Sequence, residues 1–313
     1  MARKRRQNKI AESRLALPLA AIYGVLTCLA YGVAEKQLWV QLACLSASTL
    51  LMAALNNINA LIRVYSRMVS CSFLFLSVMA IFLLPSMKTA IVQLCLIGFY
   101  LSTFKSYLNT SATGWIFYAF FSLGMASIVF VQILYFVPIL WLLIIINIKS
   151  FSLRGFVASI LGLMIPYWLI CGYFLYTKDY STVIRHFRSL GEFAPLGGFQ
   201  LLTQHQLITL AWVIFLFIVG MIHFIRNSYY DKIRTRMFFE VFITIGICCI
   251  VFLVLQPQHY NCLTGMLIVN TAPLIGHFIA LTQTKFTNFS FHLILLITVL
   301  LTFYNIWMPS MIF

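Results

Sequence analysis

The sequence predicts an all-α fold, a polytopic bundle of transmembrane helices with about eleven spans, and three observations carry that prediction. Charged residues make up 9% of the 313-residue chain and hydrophobic residues 62%, whereas a soluble domain holds roughly a quarter charged residues. The apolar residues come in runs of about fifteen to twenty-five, long enough at 1.5 Å per residue to cross a hydrocarbon core of about 30 Å. Stretches such as Ile139 to Ile146 are apolar without alternation, which excludes a β-barrel, whose strands of about ten residues alternate.

Taken in order, the predicted spans are 15–34, 38–61, 68–86, 89–104, 114–130, 132–148, 155–176, 206–225, 237–255, 260–282 and 289–308, forming one integral membrane domain over 1–313. A basic tail, 1–14, precedes them and reads as cytoplasmic. Its pairing with an apolar run resembles a signal peptide. After Ala34, however, only Glu35 and Lys36 precede the next apolar run, so an uncleaved first span is expected. The region from Gly114 to Ile148 is read as two spans, because one helix of that length would measure about 52 Å, too long for a bilayer. Gln132 and Pro138 mark the expected turn.

Charge supports that count. With the N-terminus in the cytoplasm, sixteen of the 21 Lys and Arg fall on the inner side, including Arg63, Arg67, Lys149 and Arg226 to Arg236. Only Lys36, Lys88, Lys178, Arg185 and Arg188 fall outside. This is the positive-inside pattern. Joining 114–148 into one span would export Arg226 to Arg236. The same pattern accounts for the excess of Lys and Arg over the 6 Asp and Glu, so no nucleic-acid partner is expected, although on a soluble chain that excess would point to one.

Neither cofactor nor metal is implied. The eight cysteines lie in or beside apolar runs without C-x-x-C spacing and read as small packing residues. Walker, HExxH, GxSxG and GxGxxG motifs are absent from the sequence.

The long outer (periplasmic) loop, 177–205, is the strongest candidate site. It holds Lys178, Asp179, Arg185, His186, Arg188, Glu192, Pro195 and Gly197-Gly198. Tyr180, Val183, Ile184, Phe187 and Leu190 recur at helical spacing, predicting a short amphipathic helix near 181–190 with Arg185 and Arg188 on its polar side. The candidate catalytic constellation is Arg185, His186, Arg188 and Glu192, with His205 and His259 at nearby span ends. Arg grips phosphate through paired donors, and His exchanges protons near neutral pH. A polyprenyl-phosphate-linked glycan at the outer leaflet would need both. The competing reading is a solvated loop whose basic groups meet membrane lipid headgroups.

Intramembrane polar residues form a second set: Asn56, Asn57 and Asn59 near the inner end of the second span, Asn270 and His277 on one face of the tenth, and His223 and His292 near span ends. Such groups mark pathways or join helices by hydrogen bonds, and helix joining is favoured. Glu240, the only acid within a span, is expected to pair with Arg234 or Arg236 at the surface.

The segments Asn56-Asn57-Ile58-Asn59, Phe82-Leu83-Leu84-Pro85, Tyr135-Phe136-Val137-Pro138, Leu153-Arg154-Gly155 and Gly162-Leu163-Met164-Ile165-Pro166-Tyr167 resemble an uncharacterised family of Gram-negative polytopic inner-membrane proteins, over about the first 180 residues. That resemblance implies an inner-membrane location but no reaction and no functional residues. The architecture, many spans with one long outer loop bearing Arg and His, is loosely similar to the O-antigen polymerases and ligases.

Three function classes follow: an envelope-glycan glycosyltransferase or polymerase-like enzyme, a non-catalytic subunit that assembles with other membrane proteins, and a transporter or flippase. An outward cavity under 177–205 lined by Arg185 or Arg188 would favour the enzyme. Solid packing with an exposed apolar flank would favour the subunit. The transporter ranks last, because internal repeats and deep charges are not seen.

Overall fold

The computed structural model describes residues 5–178, 180–193, 200, 202–282 and 284–307, and of Leu175 and Tyr180 the backbone only. Asp179, Pro195, Gly197, Gly198 and Phe313 lie outside the described residues. Among the described residues every regular element is a helix, and there is no strand.

A short α1 (Arg6–Ala11) precedes α2 (Ala16–Ala30), α3 (Trp39–Asn59), α4 (Met68–Met79), α5 (Met87–Lys105), α6 (Thr113–Val129) and α7 (Val137–Leu143). There follow α8 (Leu153–Thr177), α9 (Tyr180–Arg188), α10 (Gln204–Asn227), α11 (Ile233–Leu255), α12 (Tyr260–Leu281) and α13 (Lys285–Trp307). Eight of the helical segments are long and apolar enough to cross a membrane, and three more, Ala16–Ala30, Met68–Met79 and Thr113–Val129, are apolar but shorter. The chain is a multi-pass helical membrane protein. Each of the eleven apolar segments overlaps one predicted span.

Gly114 to Ile148 folds back on itself. The helix breaks at Phe130, whose φ of −138° and ψ of 87° are not helical, and a 3-10 turn over Val131–Phe136 follows. Pro138 then sits in the first turn of α7, where its missing N–H leaves no hydrogen bond unmade. The Phe120 and Trp141 rings come within 6.4 Å; on one helix they would stand about 30 Å apart. The turn therefore begins two residues before Gln132.

At the centre runs α12, buried continuously from Cys262 to Ala280 and packed on by α4, α5, α10 and α11. Glycine permits the closest approaches. A Cβ on Gly276 would stand 2.9 Å from the Val69 backbone N, and one on Gly220 would stand 2.8 Å from Leu274 Cβ. Small residues at such crossings substitute for the hydrophobic drive that lipid removes between helices. Polar side chains add directed bonds: Tyr100 donates to Asn270 Oδ1 at 2.6 Å, and Asn305 donates to the Met79 carbonyl at 2.7 Å.

Contacts sort the loops onto two ends. Arg234 donates to Asn59 Oδ1 at 3.1 Å, the Leu108 N–H to the Ile148 carbonyl, Asn147 to Glu240 at 2.6 Å, and Gln7 to the Ile279 carbonyl, while His277 stands 2.9 Å from Asp231. The segments around 5–14, 59–67, 105–112, 147–153, 227–236 and 278–288 therefore share one end, termed the basic end. At the other, Gln132 donates to the Ser189 carbonyl, Gln258 to the Glu192 carbonyl, and Tyr260 to the Gln206 carbonyl. This is the α9 end.

Candidate functional site

Among the loop residues, α9 forms as the spacing predicts, over Tyr180–Arg188. It is anchored from outside its own length: Gln132 donates to the Ser189 carbonyl at 3.3 Å, and the Tyr135 hydroxyl donates to the Leu190 carbonyl. Glu192 is exposed, and its backbone carbonyl accepts from Gln258 at 3.2 Å. The candidates do not form one cluster. Arg185 and Arg188 are exposed, whereas His186 is half-buried, its ring 6.0 Å from that of Tyr167 and 5.5 Å from Phe187.

His186 helps line a partly open crevice of about 180 Å³ between α6, α8 and α9, with Ile128, Tyr167, Phe174 and Val183. Burial pushes the His186 imidazole below its ordinary pKa; a hydrogen bond to the Ser127 backbone opposes that shift in part, and the Lys88 ammonium adds to it. Its Nε2 is buried without a hydrogen-bond partner among the described residues. The imidazole is therefore neutral at pH 7 and able to accept a proton or a hydrogen bond from a bound group.

His259 lies between Phe130 and Phe252, 5.5 and 6.0 Å away, and connects to Glu192 only through Gln258. His205 packs edge-on to Phe82 at 5.2 Å and hydrogen-bonds Thr203. A second crevice of about 300 Å³, lined by Tyr135, Phe193, Cys248 and Phe252, is wholly apolar or aromatic. Neither crevice is lined by Arg185 or Arg188. Lys88, one of the five basic residues assigned outside by charge, was not among the site candidates, yet it lies within electrostatic range of both His186 and His259.

The intramembrane set divides by partner. Asn270 bonds Tyr100, and Asn56 donates to the Ser66 carbonyl at 2.8 Å. Asn59 accepts from Arg234, and Asn57 is exposed. These are helix-joining bonds. His292 is exposed with its ring nitrogen 2.6 Å from the Asn288 carbonyl. Glu240 corrects its expectation: it accepts from Asn147 at 2.6 Å, and Arg234 turns instead to Asn59 and the Phe238 ring.

His277 does more than join helices. At the basic end of α12 its Nε2 stands 2.9 Å from Asp231 Oδ2, both side chains almost wholly buried. The His223 ring lies 5.4 Å from that of His277, and Phe224 and Phe239 wall the pair at 5.4 and 5.0 Å. His277 Nδ1, Asp231 Oδ1 and His223 Nδ1 are buried without hydrogen-bond partners among the described residues. Asp231 was not singled out from sequence, where it reads as one charge in a loop.

Comparison with known proteins adds no assignment: no family model matches the chain, and no curated protein or solved structure matches it significantly.

Proposed function

We propose that the protein engages a polyprenyl-phosphate-linked sugar of the cell envelope at its α9 end, as a glycosyltransferase or polymerase-like protein of the bacterial inner membrane. The carrying observation is the two-sidedness of α9. His186 faces an apolar crevice while Arg185 and Arg188 stand exposed one residue before and two after it. An amphiphile has the matching form: a prenyl chain for the crevice, a phosphate for the arginines and a sugar hydroxyl for the neutral imidazole. The charge asymmetry supports an orientation with the basic end in the cytoplasm and the α9 end in the periplasm.

The lipid-linked and surface glycan profile of a deletion strain tests this reading. A changed profile is expected, with intermediates accumulating; an unchanged one removes the enzyme. The second reading, a non-catalytic subunit of an envelope assembly, is favoured by the absence of both arginines from the crevice walls. It predicts loss of a partner complex with chemistry intact.

A further inference from the structure

Near the basic end lies an apolar groove of about 240 Å³ that draws on α1, α2, α4, α10, α12 and α13. Ile10, Ala20, Ser72, Leu216, Ile279 and Phe291 are among its walls, and polar groups contribute almost nothing to them. From Phe291 to Thr298 on α13, and from Met68 to Leu76 on α4, the wall runs roughly 10–12 Å along the helices, about one third of a hydrocarbon core. The groove thus starts at the basic end and stops near mid-depth. That is the reach of part of an acyl chain in one leaflet.

Its mouth is built from α1. Gln7 donates to the Ile279 carbonyl at 2.6 Å and to Thr282 Oγ1 at 2.7 Å, Asn8 donates to the Thr282 carbonyl at 3.1 Å, and the Gln7 N–H donates to Asn288 Oδ1. Gln7 and Asn8 are themselves buried. An amphipathic tail resting loosely on a membrane would not need these bonds. They fix a basic segment, Arg5, Arg6, Lys9 and Arg14, against the end of the bundle where Ile279 and Ile10 line the groove. Lys285 at the start of α13 adds a cation, and Glu12 is the single acid among them. Arg6, Lys9, Arg14 and Lys285 are exposed, while Arg5 Nη1 is buried with no hydrogen-bond partner among the described residues.

We propose that this groove is a binding site for an anionic phospholipid of the leaflet at the basic end, one acyl chain lying between α2, α4 and α13 and the phosphate meeting Arg5, Arg6 and Lys9. The apolar wall supplies the chain site and the pinned cations supply the charge complement. A neutral lipid satisfies only the first. This site lies at the opposite end from α9 and does not depend on the glycan reading.

The test is native mass spectrometry of the purified full-length chain with phosphatidylglycerol or phosphatidylcholine in the same detergent. Each interfacial cation contributes an attraction equivalent to about fivefold in binding, so phosphatidylglycerol should be retained at least about tenfold better. The combined variant Arg5→Ala, Arg6→Ala and Lys9→Ala should erase that preference; Arg6 and Lys9 are exposed and Arg5 is half-buried, so an unfolding temperature in detergent equal to that of the unaltered chain checks that the fold is intact. Ser72→Phe, which fills the groove, should lower retention of both lipids. Equal retention of the two lipids by the unaltered chain overturns the proposal, as does a preference that survives the triple variant. A lipid-independent doubled mass that Ser72→Phe abolishes would assign the groove to a second copy and overturn it as well.

Discussion

His277 Nε2 and Asp231 Oδ2 meet at 2.9 Å across the join between the central helix and the α10–α11 loop, with phenylalanine rings on two sides. Whether the bond is a neutral hydrogen bond or an ion pair, neither group has water to turn to if the other is removed. His277→Ala or Asp231→Ala should cost between about 1 kcal/mol, for a neutral unpaired group, and 5 kcal/mol, for a stranded charge. In a double-mutant cycle read by thermal unfolding in detergent, the double variant should lose less than the sum of the singles. Additive losses would show that the pair does not act as a pair.

His186 gives α9 a pH dependence whose direction follows from its environment. Its folded pKa lies below the ordinary value of 6.5, so the unfolded or detached segment binds the proton more readily. The stabilisation of α9 docking is complete above about pH 6.5 and is lost as pH falls through the lower, folded value. The protection of the amides over 181–191, taken relative to the intrinsic exchange rate at each pH, should therefore fall on acidification from pH 7 to pH 5. In His186→Phe, which keeps the ring against Tyr167 without a titrating group, that protection should not respond to pH over that range.

What the sequence disclosed and what it concealed divide along physical lines. Apolar run length and basic asymmetry are local properties, and they located all eleven apolar helical segments, the fold-back inside 114–148 and the amphipathic α9. Partner choice is a tertiary property. Glu240 has Arg236 one turn away, yet it bonds Asn147, 93 positions distant. Asp231 sits in Asp231-Lys232-Ile233-Arg234, which reads as a solvated loop; only the packing of α10 and α12 buries it. The one available signal was an acid in the short loop that follows a predicted span ending near His223. Lys88 was hidden in the same way, since nothing in its position beside Met87 announces a neighbour at residue 186 or 259.

Topology is open to a direct measurement. A reporter active only in the cytoplasm should work when fused after Lys149 or after Arg234, and a periplasm-only reporter after Gly198 and at Phe313. The motive is the split of sixteen basic residues against five, joined to the shared end on which the residues around 149 and 234 lie, as the Asn147–Glu240 bond shows. A C-terminus found in the cytoplasm would remove the eleven-span count. The three shorter helices, Ala16–Ala30, Met68–Met79 and Thr113–Val129, are then the segments to question.

The last prediction separates a phosphate grip from a solvated surface at Arg185 and Arg188. Both side chains are exposed, so any grip must form as a ligand arrives and excludes water. Each charge-assisted contact would then contribute roughly 1.5 to 3 kcal/mol, and Arg185→Ala or Arg188→Ala should weaken complementation of a deletion phenotype about tenfold or more. Arg185→Lys and Arg188→Lys keep the charge but lose the planar two-donor fork, so they should remain clearly impaired if the contact is bidentate. If the two residues only face headgroups, charge alone suffices, a single exposed contact contributes under about 1 kcal/mol, and both Lys variants should behave as the unaltered protein. The measurement is complementation at matched protein levels by all four variants. Four wild-type responses would discard the phosphate grip at α9 and leave its anchoring by Gln132 and Tyr135 as a purely structural feature.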